Sequence, residues 1–485
     1  MQLQGVTTTG IYCRADCTAR PRPGNVRPVR NALAALAAGF RPCLLCRPDR
    51  LPDLGLDGAT LAPPEIAHAV RMIAEGYLDE ASTEQLATRI GYSTRHLVRL
   101  FEQHIGATPD FVARALRAHL ARRLLDESDL SITQVALAAG FSSIRQMNRV
   151  MRELFGFAPS VLRAKRSRGV ALDALDGGLR LRVPYRGALD ARRLIGHLAA
   201  RATPGVEAVE NGSYWRTLNT CGHPGVLQVR DPGCGGHLEA VLHLATFGSI
   251  VEQVERVRNL FGLHRDAEGA EKLLRRDALL GPLVRRQPGL RLLGAWDRFE
   301  TAVRIVVGQQ VSVRGASTVT GRLAERFGER VPVALPGRLR FLFPSAGALA
   351  KAGTRDLGMP EARARTIVHL AARVASGELD LSRPAPLEQT LATLQAVPGI
   401  GPWSAHLIAA RVMGEPDAFP ASDLGLRKAA ATLLGRTEPV AVRELEELAQ
   451  AWRPHRSTAA AYLWMAEIPA GGAAPGERTL DTKEQ

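Results

Sequence analysis

The stretch LQAVPGIGPWSAHLIAARVMGEPDAFPASDLGLRKAA (394–430) decides how the C-terminal half of the chain is read. VPGIG at 397–401 reads as a tight turn between two helices. Its glycines, Gly399 and Gly401, expose backbone N–H groups to a phosphate oxygen and leave carbonyls for a monovalent cation. Such hairpins also occur in purely structural DNA-binding modules, so the turn alone assigns no chemistry. Asp423 follows Gly401 by 22 residues and stands at the predicted head of another helix. As a plain N-cap it would stabilise that helix by about 1 kcal/mol; behind a DNA-binding hairpin it is also a candidate acid. Helical periodicity runs on both sides of this segment, from Trp296 to about residue 468.

The spacing from Gly401 to Asp423 resembles that of the helix-hairpin-helix DNA glycosylases, and the resemblance implies that Asp423 is catalytic. A carboxylate there would stabilise an oxocarbenium-like sugar and orient water onto its C1′. An alkylated purine is already cationic, so it needs no partner acid to leave. Trp403 stands after GIGP, where lyase-competent relatives carry a lysine, which implies a monofunctional hydrolase without a Schiff base. No cysteine follows Cys234, so the iron–sulfur loop of some relatives is not expected. LLGAWDRFETAVRIVVGQQVSVRGASTVTGRLAERFG (292–328) and AWRPHRSTAAAYLWM (451–465) resemble the AlkA family of 3-methyladenine glycosylases. That resemblance implies that Trp403 and Trp464 stack on a flipped cationic base, with core packing as the alternative for each. Leu407 replaces a pocket tyrosine of the family, and Gln310 sits where some relatives insert a leucine wedge into the emptied stack. Alternating runs at LRLRVPY (179–185) and GVLQVRD (225–231) predict strands, and with VPYRG and GVEAVENGSYWRT they resemble the AlkA accessory domain.

The whole chain has 485 residues, 46% hydrophobic and 23% charged, which at ~150 residues per domain is about three domains. Lys+Arg number 63 against 48 Asp+Glu, a net +15, and 58 of the 63 cations are arginines, whose forked donors suit phosphates and base edges. Residues 1–170 hold 23 cations against 15 acids. No run reaches the ~18 apolar residues of a membrane helix, and no signal peptide is visible, so a cytoplasmic, nucleoid-associated protein with reduced cysteines is expected.

An internal repeat lies in front of the glycosylase-like half. STEQLATRIGYSTRHLVRLFEQHIGATP (82–109) matches SITQVALAAGFSSIRQMNRVMRELFGFAP (131–159) at Gly91/Gly140, Tyr92/Phe141, Ser93/Ser142, Gly106/Gly156 and Pro109/Pro159. Each copy predicts an amphipathic helix, a glycine turn and a serine-capped second helix. GFSS (140–143) and the paired G-x-x-P endings resemble AraC-type regulators, which implies recognition helices starting at Ser93 and Ser142. Arg95, His96, Arg99, Arg145, Gln146, Asn148 and Arg149 would then face bases or phosphates, while Leu97, Leu100, Phe101, Met147 and Val150 belong to the core.

Cys13-x3-Cys17-x25-Cys43-x2-Cys46 presents two close pairs of thiols, the pattern of a tetrahedral zinc site with ligands at about 2.3 Å. Spacing alone suits a purely structural ion. TTGIYCRADCTAR (8–20) and AALAAGFRPCLLCRPDR (34–50) resemble the metal-binding domain of the Ada family, and this implies that Cys13 accepts a methyl group from a DNA methylphosphotriester. A zinc-bound sulfur stays a nucleophilic thiolate, and its methylation would take the tetrathiolate site from −2 to −1, strengthening contact with DNA phosphates. The family carries strand-forming sequence ahead of TTGIYC, whereas this sequence starts seven residues before it, so either a misassigned start or a shortened zinc domain is expected. Cys221 and Cys234 are given no role.

These readings combine into a multidomain, mainly α chain with α+β parts. The expected segments are a four-cysteine zinc domain (1–52), a double helix-turn-helix domain (65–166), an AlkA-type accessory domain (176–291), an all-α glycosylase domain (292–468) and a disordered tail (469–485). PDRLPDLGLDGATLAPP (48–64) and RAKRSRG (163–169) read as linkers. Expected partners are double-stranded DNA and RNA polymerase. The expected activity is excision of alkylated bases, joined to a methyl-sensing transcriptional regulator of the alkylation response. The competing readings are a DNA-binding regulator with an inactive glycosylase half, and an enzyme whose helix-turn-helix block only tethers it to DNA.

Overall fold

Side-chain caps set most of the helix starts. In the computed structural model Ser82, Ser93, Thr108, Ser131, Ser143, Asp190, Asp266, Asp297, Ser312, Ser345 and Asp423 each accept a backbone N–H of the first turn. The structure describes residues 2–19, 21–50, 63–128, 130–164, 178–220, 222–233, 235–244, 250–331, 338–383 and 385–466. Most of the expected linkers, the tail at 469–485, Cys221 and Cys234 lie outside the described residues. The described residues form nine strands: β1 (Leu3–Val6), β2 (Ile11–Arg14), β3 (Val26–Val29), β4 (Arg41–Pro42), β5 (Leu179–Pro184), β6 (Glu207–Glu210), β7 (Ser213–Thr220), β8 (His223–Arg230) and β9 (His237–His243). They make a four-stranded sheet in the order β3-β1-β2-β4 and a five-stranded sheet in the order β5-β9-β8-β7-β6. Among the described residues no helix is long and apolar enough to cross a membrane.

The chain divides into two compact units. The first contains Met1–Pro184, Thr220–His223 and Ala240–Glu255. Within it β1 pairs with both β2 and β3, so Leu3–Val6 itself supplies a central strand of the cysteine module. The helix Pro109–Glu127 is the axis of the helical block and packs against Pro64–Ala74, Ile132–Ala138, Ile144–Phe155 and Pro159–Ala164. Gly91 and Gly140 take the left-handed conformation that ends the first helix of each repeat. In the second repeat Ser143, rather than Ser142, is the cap, and the helix runs Ile144–Phe155. Leu97, Phe101, Met147 and Val150 are buried, but Leu100 is only partly covered.

The cysteine module is fastened to this helical block by polar bonds. Asn31 Nδ2 donates to the Ile105 carbonyl at 3.0 Å and Arg47 bridges Asp49 and Asp126, each at 2.7 Å. Gly106 permits the close approach: its φ is +85°, and a Cβ there would lie 2.8 Å from the Ala34 methyl group.

The second unit contains Tyr185–Asn219, Pro224–Glu239 and Arg256–Gln485. Its helices enclose two apolar clusters, one around Val303, Val306, Ile367, Leu370 and Ile408, the other around Leu426, Ala430, Trp452, Tyr462 and Leu463. Fully burying each leucine, isoleucine or valine contributes about 1.5–3 kcal/mol. Beneath them lies a square of buried charge. Arg216 reaches Glu300 at 2.9 Å and Glu207 at 3.6 Å, and Arg304 reaches Glu207 at 2.7 Å and Glu300 at 3.2 Å. The Tyr214 hydroxyl adds a bond to Glu207 at 2.6 Å. Burial alone would raise the pKa of Glu207, but Arg304 and Arg216 hold it below the usual carboxylate range. Glu207→Gln would leave buried guanidinium charge uncompensated and is expected to cost about 3–5 kcal/mol, read as a lower urea midpoint for this unit.

Candidate base pocket and thiolate centre

The hairpin joins the helices Leu387–Gln395 and Pro402–Arg411. Gly399 sits at φ +88°, and a Cβ there would fall 1.9 Å from the Thr366 hydroxyl, so only glycine fits. Gly401 faces open space and is exposed. The loop is braced by Gln309, whose Nε2 donates to the Gly399 carbonyl at 3.1 Å and to Ser404 Oγ at 2.8 Å; Arg363 in turn donates to the Gln309 carbonyl.

Asp423 caps the helix Leu424–Leu433 and also faces a cavity of about 600 Å³. Its Oδ1 accepts the Leu426 N–H at 3.0 Å and the Trp464 indole N–H at 3.0 Å, while Oδ2 accepts the Trp403 indole N–H at 2.8 Å. Both tryptophans are therefore tied edge-on to the carboxylate and line the cavity with it. Gly425 keeps the carboxylate accessible, since a Cβ there would lie 3.0 Å from Asp423 Oδ1 and 3.5 Å from Trp464. Leu407 lies in the wall, and exposed Gln310, in the left-handed region at φ +54°, lines the mouth. The cavity is also lined by His197, Arg201, Arg291, Arg304 and Arg411, which sequence reasoning missed. No local motif marks them: His197 and Arg201 come from the end of the helix Ala191–Ala199 and the residues after it, far along the chain from Asp423.

The four cysteines meet in the other unit, with their sulfurs all within 4.8 Å of one another. Cys13 lies on β2, and Cys43 and Cys46 belong to the turn after β4. A tetrahedral ion with sulfur at about 2.3 Å sets S···S edges of roughly 3.8 Å, so this donor set fits zinc. Burial and then the neighbouring Cys43 push the Cys13 thiol far up, and burial with Cys17 and Cys43 beside it raises Cys46 to about 11. Cys43 is also buried, but the N–H groups of Cys46 and Leu45 aimed at its sulfur bring it down. Arg14 N–H points at Cys46 Sγ at 3.5 Å.

Four domain families match the chain in order: the metal binding domain of Ada over residues 3–49, a helix-turn-helix domain over 86–165, the AlkA N-terminal domain over 180–297 and the HhH-GPD superfamily of base excision DNA repair proteins over 303–455. A Mycobacterium tuberculosis protein described as a bifunctional transcriptional activator/DNA repair enzyme AlkA is 40% identical over 461 residues, covering 95% of this chain and 91% of that one. The chain belongs to this bifunctional Ada/AlkA family. Escherichia coli DNA-3-methyladenine glycosylase 2 is 32% identical over 279 residues, 56% of this chain and 93% of its own. In fold, the chain is similar to a 3-methyladenine DNA-glycosylase from Archaeoglobus fulgidus, with a TM-score of 0.51 and 23% identity over 59% of this chain and 97% of that one.

In this Ada/AlkA chain the helix-turn-helix block presents Arg95, Arg99, Arg145 and Arg149 to solvent on the helices Thr94–His104 and Ile144–Phe155. The other expected readers are engaged locally. Gln146 Oε1 accepts the backbone N–H and hydroxyl of Ser142 at 3.0 Å, Asn148 donates to the Ile144 carbonyl at 3.0 Å, and His96 Nδ1 lies 3.0 Å from Arg99. Metal analysis of the purified full-length protein is expected to find one zinc per chain. Cys17→Ser should lower that occupancy, and stripping the metal with a strong chelator should unfold the cysteine module.

Proposed function

We propose that the chain is a monofunctional DNA glycosylase that hydrolyses the N-glycosidic bond of alkylated purines of the 3-methyladenine type, joined to a methylphosphotriester-sensing transcriptional regulator of the alkylation response. The observation that carries the enzymatic part is the Asp423 carboxylate, fixed between two indole N–H groups at the wall of a cavity beside the glycine hairpin. The N–H groups of Gly399 and Gly401 would hold a phosphate of the duplex, and Gln310 at the mouth would enter the gap left when the damaged nucleotide flips out. With the base between the tryptophan-lined walls, Asp423 stabilises the positive charge that develops on the sugar and orients the water that adds to C1′. Among the described residues lining the cavity there is no lysine, in keeping with hydrolysis rather than Schiff-base chemistry.

Cys13 is the proposed methyl acceptor. Its sulfur attacks the methyl carbon of a phosphotriester; the S–C bond forms, the C–O bond breaks, and the electron pair stays on the phosphate oxygen as a phosphodiester. Bound zinc would keep the sulfur in thiolate form at neutral pH. The backbone hydrogen bonds to sulfur described above go to Cys43 and Cys46, so Cys13 keeps a less neutralised charge than either of them. Methylation removes one negative charge from a module fastened to the helix-turn-helix block, and binding to operator phosphates tightens. Arg95, Arg99, Arg145 and Arg149 supply the contacts to DNA, the bound protein recruits RNA polymerase, and it resides with the nucleoid.

Two measurements test this. Asp423→Asn keeps a competent helix cap and is expected to lower 3-methyladenine release from methylated duplex by about 10²–10³-fold; release at the wild-type rate would leave only the regulator. Zinc-loaded Cys13→Ser is expected to lose the gain in operator affinity that exposure to methylated DNA brings to wild type, as read by footprinting.

A further inference from the structure

The cavity that receives the base carries more positive charge than a pocket for cationic lesions requires. Arg201, Arg291, Arg304 and Arg411 line it against a single carboxylate, Asp423. Three of these arginines have structural partners. Arg304 is held by Glu207 and Glu300, Arg411 Nε donates to the Leu293 carbonyl at 3.1 Å, and Arg291 donates to the Ala188 carbonyl at 3.2 Å. Arg201 differs. Among the described residues its side chain makes one hydrogen bond, a marginal contact of 3.5 Å to the His197 carbonyl, and no salt bridge; Asp423 acts on it only through its charge. Burial and Arg304 lower it to about 10, which leaves it charged at neutral pH. Asp423 opposes its charge without a salt bridge, so packing leaves most donors of this partly buried guanidinium unused.

His197 stands beside it in the wall. Its Nδ1 is buried and has no hydrogen-bond partner. Burial, with Arg201 and Arg411 nearby, keeps the ring neutral at physiological pH. A neutral imidazole next to a guanidinium offers a donor–acceptor edge of the kind that reads a heterocycle.

Resting on the glycosylase reading of this site, we propose that Arg201, with His197 beside it, determines which bases are excised by donating to an acceptor on the edge of the flipped base and stabilising negative charge on a neutral leaving base. When the C1′–N bond breaks, its electron pair stays on the base nitrogen. A cationic N-methylpurine then leaves as a neutral molecule, while a neutral 6-keto purine leaves as an anion. In both cases water supplies hydroxyl to C1′ and a proton that goes to the base or to solvent. A guanidinium opposes entry of the cationic base and assists departure of the neutral one, so Arg201 shifts the selectivity of the pocket towards neutral lesions with a carbonyl edge.

The test uses full-length, zinc-loaded protein and single-turnover release of hypoxanthine and of 7-methylguanine from matched duplexes. Arg201→Met is expected to lower the ratio of hypoxanthine to 7-methylguanine release by tenfold or more, the effect of losing one charge-assisted hydrogen bond. A smaller fall, no change or a rise in that ratio overturns the assignment, whether both rates drop together or neither does. If Arg201→Met does not fold, Arg201→Gln, which keeps an amide donor but not the charge, is read in the same way. Release of neither base by wild type would instead refute the glycosylase reading.

Discussion

The square of buried charge formed by Arg216, Glu207, Arg304 and Glu300 is the constraint on which the second unit depends. Ions taken out of water are tolerated only when each meets its opposite, and here both arginines contact both glutamates. The square joins β6 and β7 to the helix Arg298–Val307, which also supplies Thr301, Arg304 and Ile305 to the cavity wall. Position is thereby imposed on the pocket wall by charges that are neutralised within the square. It also explains why Arg304 is not available for chemistry, whereas Arg201, outside the square, keeps its donors.

A second constraint acts at Asp423. A helix N-terminus offers free N–H groups, and a capping carboxylate satisfies one of them. Here the same carboxylate also takes two indole N–H groups, so a local stabilising device has become the fixed point of a cavity. The two tryptophans cannot swing independently of the acid, and the acid cannot rotate without breaking a cap. Orientation of this kind is what stabilisation of a developing sugar cation requires. In the first unit, Asn31 and Arg47 play a comparable part: they hold the cysteine module on the helical block.

Much of the architecture was legible because its signals are local. Capping boxes at Ser82–Gln85 and Ser131–Gln134, the left-handed Gly91 and Gly140, and the hairpin at 397–401 need only a few consecutive residues to act. The cysteine spacing was equally plain, because chelation leaves few ways to arrange four sulfurs. Small misreadings arose where neighbours compete for one role: Ser143 rather than Ser142 caps the second recognition helix, and Ser142 instead engages Gln146. The short segment ahead of TTGIYC gave no warning that Leu3–Val6 pairs on both edges.

By itself, the amino-acid sequence determined the order of modules, the sulfur ligands, the hairpin and the acid that follows it, since each depends on residue type at short spacing. Tertiary structure alone decided what surrounds that acid. Trp403 lies 20 residues and Trp464 41 residues from Asp423 along the chain, and Arg201 and His197 are further still, yet all of them line one cavity. The strength of a charge or a donor depends on burial and on which groups face it, and neither is a property of the linear chain. Any of the arginines now lining the cavity could have been a solvated surface cation; the fold made three of them structural and left Arg201 facing the cavity.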